Sequence, residues 1–382
     1  MLHTFKLSSA ETGILDSAYF VTYALLQIPG GLLLSHLGPK RVLTAASLTC
    51  AIGLLLFATA HNFTVAIFAR FIMGLGGSFG LMGAVFLACR CLPTRYLGFF
   101  VGLTIMLGLS GGLVQTPLHD LIIAFNWRNT VLILAALSAG IALLMAFFIQ
   151  DNAITKENLH SLSWRHLYED IKKVAKNRAI WPVAIYGGLM YLPTGTLSSL
   201  WGIEYLKTYY PSVDMRFLTT INAAFFLGWI IGSPLSGFIS DFIHQRKPLL
   251  TLSSAGVLVC MLAVTYVDNL SLGVMGLLFL LMGVFSSGSG LTFAMAAELY
   301  PRQHQGPAIG LVNMLAILPS ILCAPIFGYI LDNVAHAPGT PIGAYTREGF
   351  THAMILEYGI IVIALLMALW WIKETLPESS SI

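Results

Sequence analysis

Residues 30–41 read Gly-Gly-Leu-Leu-Leu-Ser-His-Leu-Gly-Pro-Lys-Arg, and residues 237–247 read Gly-Phe-Ile-Ser-Asp-Phe-Ile-His-Gln-Arg-Lys. In each, a glycine near the end of an apolar stretch precedes a tight turn and a basic pair. The apolar stretches flanking these turns are about 20 residues long, enough for a helix to cross a ~30 Å hydrocarbon layer. Spans of this kind are predicted at 14–37, 43–61, 63–88, 97–119 and 128–150, then at 180–206, 217–241, 248–267, 271–297, 306–332 and 351–372. The expected fold is therefore an all-α polytopic membrane protein with eleven spans. The one substantial polar break, residues 151–178, divides them five and six. Within it Trp164, Leu167, Ile171 and Val174 recur at three- to four-residue steps among Lys172, Lys173 and Lys176. That spacing predicts an amphipathic helix over Leu159–Lys176, lying on the membrane face. The domains expected are a first bundle over 1–150, a linker over 151–178 and a second bundle over 179–382.

The basic residues orient the chain. Residues 38–42, 89–96, 151–178, 242–247, 299–306 and the C-terminal tail hold 14 of the 20 Lys and Arg. The opposite side holds five, and Arg70 lies inside a span. Such an excess marks the first side as cytoplasmic and leaves the C-terminus inside. The N-terminus then falls outside, although Met1-Leu-His-Thr-Phe-Lys6 has no signal-peptide pattern. The short loops and tails suit a bacterial inner membrane.

A chain that is 57% apolar and 10% charged, with a mean hydropathy of +0.81, has too little polar surface for a soluble domain. The net charge of +3 reflects membrane orientation and implies no nucleic-acid partner. Of the five cysteines only Cys89 and Cys91 are close together, and no spacing resembles a metal site or a disulfide framework. Neither His-Glu-x-x-His, Gly-x-Ser-x-Gly nor a phosphate-cradling glycine loop occurs. No enzyme activity, cofactor or metal is expected.

The two quoted turns also expose a repeat. In the second half the turn follows the second span, whereas in the first half it follows the first. Aligning them leaves the first half one helix short, as expected of a late start codon or a truncated copy. Internal repeats are common in secondary transporters.

The chain resembles the major facilitator superfamily over essentially its whole length. Gly31…Ser35…Gly38…Arg41 is similar to that family's cytoplasmic signature between its second and third helices, and Gly237…Asp241…Arg246 to the matching one between the eighth and ninth. Arg70-Phe-Ile-Met-Gly74-Leu-Gly76-Gly77 resembles its fourth-helix motif, Trp127-Arg128 the opening of its sixth helix, and Glu298…Arg302…Gly306 its tenth-to-eleventh break. The resemblance implies a two-bundle fold with 11 of the usual 12 helices and a gating role for the two turns. Ser35 and His36 stand where the family usually has Asp and Arg, which would weaken the first gate. The fifth helix lacks the Gly-Pro pair of drug antiporters, which counts against efflux.

A guanidinium inside an apolar span costs at least ~2.5 kcal/mol, so Arg70 should face a partner or a cavity. Asp16 and Glu357 are the acids at similar depth, with Asp16 preferred, and the three form the coupling candidates. For substrate contacts, Tyr19, Tyr23 and Gln27 share a helical face. Tyr186, Tyr191, Asn222, Ser286, Ser287 and Asn313 add polar groups in the second half, with Trp201 near the outer interface as a weaker choice. Glycines four apart, Gly76/Gly80, Gly98/Gly102 and Gly108/Gly112, allow close helix approach, whether for packing alone or for rocking of the halves.

The function expected is secondary active transport of a small polar organic solute by alternating access, with protons as the candidate coupling ion. Amino acids and dipeptides are slightly preferred among solutes that also include organic acids and sugars. The alternative is a non-transporting sensor or an inactive truncated carrier. The partners expected are the lipid bilayer and the solute, with the protein a monomer.

Overall fold

The computed structural model describes residues 8–91, 103–104, 106–108, 110–149, 172–334 and 345–375. Among these the chain is helical throughout, with no strand. Before the linker region the described helices are α1 (Ser9–Leu25), α2 (Gln27–Leu37), α3 (Pro39–Thr59), α4 (Phe63–Gly77), α5 (Phe79–Cys91) and α6 (Gln115–Phe148). After it come α7 (Ile180–Leu192), a π-helical segment (Pro193–Trp201), α8 (Gly202–Tyr209), α9 (Met215–Ile243), α10 (Lys247–Tyr266), α11 (Leu272–Ser286), α12 (Leu291–Glu298), α13 (Arg302–Val334) and α14 (Arg347–Trp370). Of the predicted amphipathic linker helix only Lys172–Lys176 falls within the described residues, and it is helical.

Eight helices among the described residues are long and apolar enough to cross a membrane unbroken. The other predicted spans have identifiable interruptions. The first is split at Leu26 into α1 and α2, because Pro29 has no N–H to offer the Leu25 carbonyl. The fourth is described only in part and ends in a 3₁₀ turn, Ser110–Val114, before α6. The sixth passes through the π segment, which opens at Pro193. Within α6 a break at Asn126 (φ 62°) separates the fourth and fifth spans. The Asn126 side chain accepts from the backbone N–H groups of Arg128 and Asn129 at 3.0 and 3.1 Å, so it caps the helix that follows. Ser8 and Glu11 close a capping box on α1, and Asn62, Asp214, Ser271 and Thr346 cap α4, α9, α11 and α14.

The two quoted turns share a residue of positive φ at the same place. Gly38 (φ 84°) and His244 (φ 52°) both lie in the left-handed region, each two residues before its basic pair begins. Glycine takes that conformation freely, and histidine bears a modest strain there.

Helix contacts are tight where side chains are small. A Cβ on Gly76 would stand 2.4 Å from the Ala46 carbonyl oxygen on α3, whereas one on Gly80 or Gly108 would meet nothing within 4 Å. Of the glycines expected to permit close approach, Gly76 alone among these three does so, and Gly98 and Gly102 lie outside the described residues. Ser47 and Ser138 exchange hydroxyl-to-carbonyl bonds of 2.9 Å, tying α3 to α6. Large apolar side chains crowd the outer surface, with Phe147, Phe148 and Phe242 each more than three-quarters exposed. Such a surface is suited to lipid.

Candidate functional site

Arg70 emerges from α4 toward α1. Its Nη2 lies 2.7 Å from Asp16 Oδ1, and its Nε donates to the Leu15 carbonyl at 3.2 Å. The guanidinium also sits over the Tyr19 ring, 5.1 Å from the centroid. The partner is thus Asp16 and not Glu357. Two glycines of α4 make this approach possible. A Cβ on Gly74 would stand 2.1 Å from Thr22 Oγ1 and 2.2 Å from the Tyr19 carbonyl, and one on Gly77 would stand 2.3 Å from the Tyr19 hydroxyl. The pair keeps about a fifth of its side-chain surface accessible, so it is not sealed.

Further groups converge from both halves. Tyr19 and Tyr23 stand with ring centroids 6.0 Å apart. Asn313 of α13 and Gln27 of α2 lie beside the Tyr23 hydroxyl. Gln27 is buried and its Nε2 donates to the Ser78 carbonyl at 3.5 Å. Tyr191, at the end of α7, is within electrostatic range of Asp16, Tyr19 and Tyr23. Its ring meets Trp229 edge-on at 6.4 Å, and Trp229 Nε1 donates to Thr194 Oγ1 at 3.0 Å. The structure therefore gathers one cation, one carboxylate, three phenols and two amides between the halves. Trp229 and Thr194 were not singled out from sequence, because neither has a spacing signal of its own.

Other sequence candidates sit elsewhere. Tyr186 is fully buried and donates to the Leu250 carbonyl at 2.5 Å, which ties α7 to α10. Asn222 is buried and its Nδ2 donates to the Ser198 carbonyl at 2.8 Å, holding α9 against the π segment. Ser286 and Ser287 are buried in the second bundle, and Ser287 donates back to Val284 at 2.6 Å. Trp201, expected near the outer interface, is 1% exposed and stacks on Phe327 at 6.2 Å. Glu357 is also fully buried, on α14, with neither carboxylate oxygen hydrogen-bonded among the described residues.

At the quoted turn of the second half, Arg246 joins Asp241 at 2.7 Å and Glu298 at 2.8 Å, and donates to Ser240 Oγ at 2.6 Å. Burial opposes its charge, but the hydrogen bond and charge of Glu298, then those of Asp241, raise its pKa above the usual arginine value. Glu374, just past α14, accepts from the Arg246 and Lys247 backbone N–H groups at 2.8 and 3.1 Å. Helices α9, α10, α12 and α14 are thereby joined at one point beside Gly237. In the first half Gly38 makes the turn and Arg41 is exposed, while Gly31 and Ser35 lie within α2. The Ser35 side chain is outside what the structure describes.

On the opposite face the halves are closed against each other. The Ala10 N–H donates to Asp332 Oδ2 at 3.0 Å, and the Ser17 hydroxyl donates to the Ile321 carbonyl at 2.9 Å. A Cβ on Gly13 would lie 2.7 Å from the Ala324 carbonyl oxygen. Arg216 bridges to Asp120 at 2.8 Å across the second seam. This is the face that the charge asymmetry of the sequence leads one to expect outside.

The family model described as Major Facilitator Superfamily matches residues 1–216 and again 189–382. A probable sulfoacetate transporter of Cupriavidus necator is 27% identical over 66% of this chain, and the chain spans 61% of that relative's length. A probable galactarate/D-glucarate transporter of Bacillus subtilis is 25% identical over 94% of this chain and 85% of its own. Among solved structures, a point mutant of the nucleoside transporter NupG superposes with a TM-score of 0.74 at 15% identity. That match covers 98% of this chain and 93% of the other.

Proposed function

The chain belongs to the Major Facilitator Superfamily, and from that premise we propose that it is a secondary carrier for a small organic acid anion, working by alternating access. The observation that carries this reading is the Arg70–Asp16 pair, at 2.7 Å and partly accessible, set among Tyr19, Tyr23, Tyr191 and Asn313. A guanidinium is the side chain best matched to a carboxylate or sulfonate, since it can offer two parallel N–H donors. Phenol and amide groups around it suit hydroxyl substituents. The names of two relatives, for sulfoacetate and for galactarate or D-glucarate, lie in that chemical class. They lend no support to amino acids or dipeptides, so the preference shifts to organic acids.

The same pair supplies a coupling device. In the empty carrier Asp16 neutralises Arg70. An incoming anion takes Asp16's place on the guanidinium, and the displaced carboxylate becomes able to accept a proton. Substrate and proton then cross together. The closed outer face, with Ser17, Asp120 and Arg216, is the seam that would open in the alternate state. We further place the protein in a bacterial inner membrane as a monomer, with the C-terminus inside, on the charge asymmetry and short loops.

The test is ligand-dependent melting of the purified protein. At a hundred times its Kd a ligand stabilises the folded state by about 2.7 kcal/mol. Sulfoacetate, aldaric and aldonic acids should raise the melting temperature, and neutral sugars, nucleosides and amino acids should not. Stabilisation by the neutral compounds alone would refute the reading.

A further inference from the structure

Helices α8, α13 and α14 are held in register by an aromatic layer. Phe350 lies 6.3 Å from Phe327 and 5.5 Å from Tyr205, and Phe327 stacks on Trp201. Seven residues from Phe350 and from Phe327, about two helical turns, stand Glu357 on α14 and Ser320 on α13, and Thr196 lies in the π segment five residues before Trp201. All three are at most 2% exposed. Glu357 Oε1 and Oε2, Ser320 Oγ and Thr196 Oγ1 have no hydrogen-bond partner among the described residues. Buried polar atoms without a partner are rare, so these groups require a reason. π-Helical turns are enriched at functional sites.

The layer also borders the substrate site. Ser320 Oγ stands 2.4 Å from where a Cβ on Gly195 would be, and the Tyr191 ring stands 3.6 Å from the same point. The missing side chain of Gly195 is what lets these two groups come together. Tyr191 is within electrostatic range of Asp16, and Ser320 is three residues along α13 from Cys323, which is within electrostatic range of Glu357.

The groups that could disturb Glu357 are few. Cys323 on α13 and Tyr358 on α14 lie within electrostatic range. Helices α7, α8 and α10, packed against α14, bring Tyr186, Tyr205, Cys260 and Tyr266. Their charged residues, Glu204, Lys207 and Lys247, are at helix ends, and Arg347 is paired with Asp268 at the outer end of α14. Within the described bundle nothing near Glu357 supplies the counter-charge an ionised carboxylate needs, and a buried carboxylate without one is stable only as the neutral acid.

We propose that Glu357 is a second proton carrier of the transport cycle, loaded from the substrate site past Ser320 and Gly195. A proton from hydronium bonds to one Glu357 oxygen, leaving water and a neutral carboxylic acid, and returns by the same path when the site opens to the other side. The proposal rests on the organic-anion reading. A dianion moving together with Arg70's site needs two compensating protons to cross an inside-negative membrane without net charge movement. Asp16 and Glu357 are two such carriers.

The experiment has two arms. In proteoliposomes clamped at zero voltage, the pH gradient that just halts sulfoacetate or galactarate movement against a fixed concentration gradient gives the proton count per substrate. The wild type should move two, and E357Q, an isostere of the neutral acid that should fold, should move one. An unchanged count in E357Q, or movement driven by sodium at equal pH, would overturn the proposal. The second arm needs no transport. Infrared difference spectra of purified wild type against E357Q at pH 7 should contain the carbonyl band of a protonated carboxylic acid, and its absence would overturn the proposal. If neither anion moves in wild-type vesicles, the organic-anion reading falls, and the infrared arm still judges Glu357.

Discussion

Replacing Arg70 by leucine strands the Asp16 carboxylate among Tyr19, Tyr23 and Tyr191. At 2.7 Å the gross attraction of the pair is about 6 kcal/mol at an effective dielectric of 20. Desolvation of the two ions offsets several kcal/mol of that, and breaking one partner of a buried pair typically costs about 3–5 kcal/mol. The stranded acid has one escape, which is to take up a proton. From an ordinary carboxylate pKa near 3.9, that costs about 4 kcal/mol at pH 7 and about 1.5 kcal/mol at pH 5. The Arg70→Leu penalty is therefore capped at about 4 kcal/mol and shrinks on acidification. The sign follows from linkage. The folded variant holds a proton that the unfolded chain lacks, so its stability rises as pH falls from 7 toward 4. Arg70→Leu combined with Asp16→Asn has no charge to strand and should regain most of the loss, with a flat pH dependence. Thermal melts of detergent-purified protein at pH 5 and pH 7 measure both effects. Equal melting of the single and double variants at both pH values would refute the pair as the origin.

Gly74→Ala should lower stability by about 1–3 kcal/mol in the same melts, and Thr22→Ala should not rescue it, because the Tyr19 carbonyl stands 2.2 Å from the new methyl. At the cytoplasmic turn, Glu298→Gln should disturb transport more than Asp241→Asn, since Glu298 is 22% exposed and Asp241 69%; uptake at matched membrane abundance decides the order. Asp120→Lys sets two cations facing at the outer seam. Because that pair is exposed, stability should change by less than about 1 kcal/mol. A cysteine introduced at Ala10 should nevertheless label faster from outside, as the closed state loses population, and an unchanged rate would remove Asp120 from the closure.

Hydropathy and positive charge made the spans and their orientation legible, because lipid imposes a length and a polarity that no folding detail alters. The shared register of Gly38 and His244 was implicit in the spacing of the two basic turns. Arg70 and Asp16 were legible as a buried cation in need of an acid. The π segment was not, since Pro193-Thr-Gly195-Thr196 reads equally as an ordinary polar interruption. Glu357 was read as a possible partner of Arg70 from depth alone. Its isolation depends on which helices surround α14, and one-dimensional depth contains no such information. The Asp120–Arg216 bridge and the Ser17–Ile321 contact arise from docking one bundle on the other, so neither residue carries a local signal. Tyr186 and Asn222 had the composition of ligand contacts, but their polar atoms satisfy backbone carbonyls of neighbouring helices.

Anion transport through Arg70 is tested most directly by uptake of labelled galactarate or sulfoacetate into proteoliposomes under an inward proton gradient. The wild type should accumulate the anion saturably, with loss of uptake when the gradient is collapsed. Arg70→Gln, which keeps a polar side chain but not the cation, should reduce uptake at least tenfold while inserting normally. Equal uptake by Arg70→Gln would contradict the account, and so would a wild type that transports neither anion yet accumulates a neutral solute.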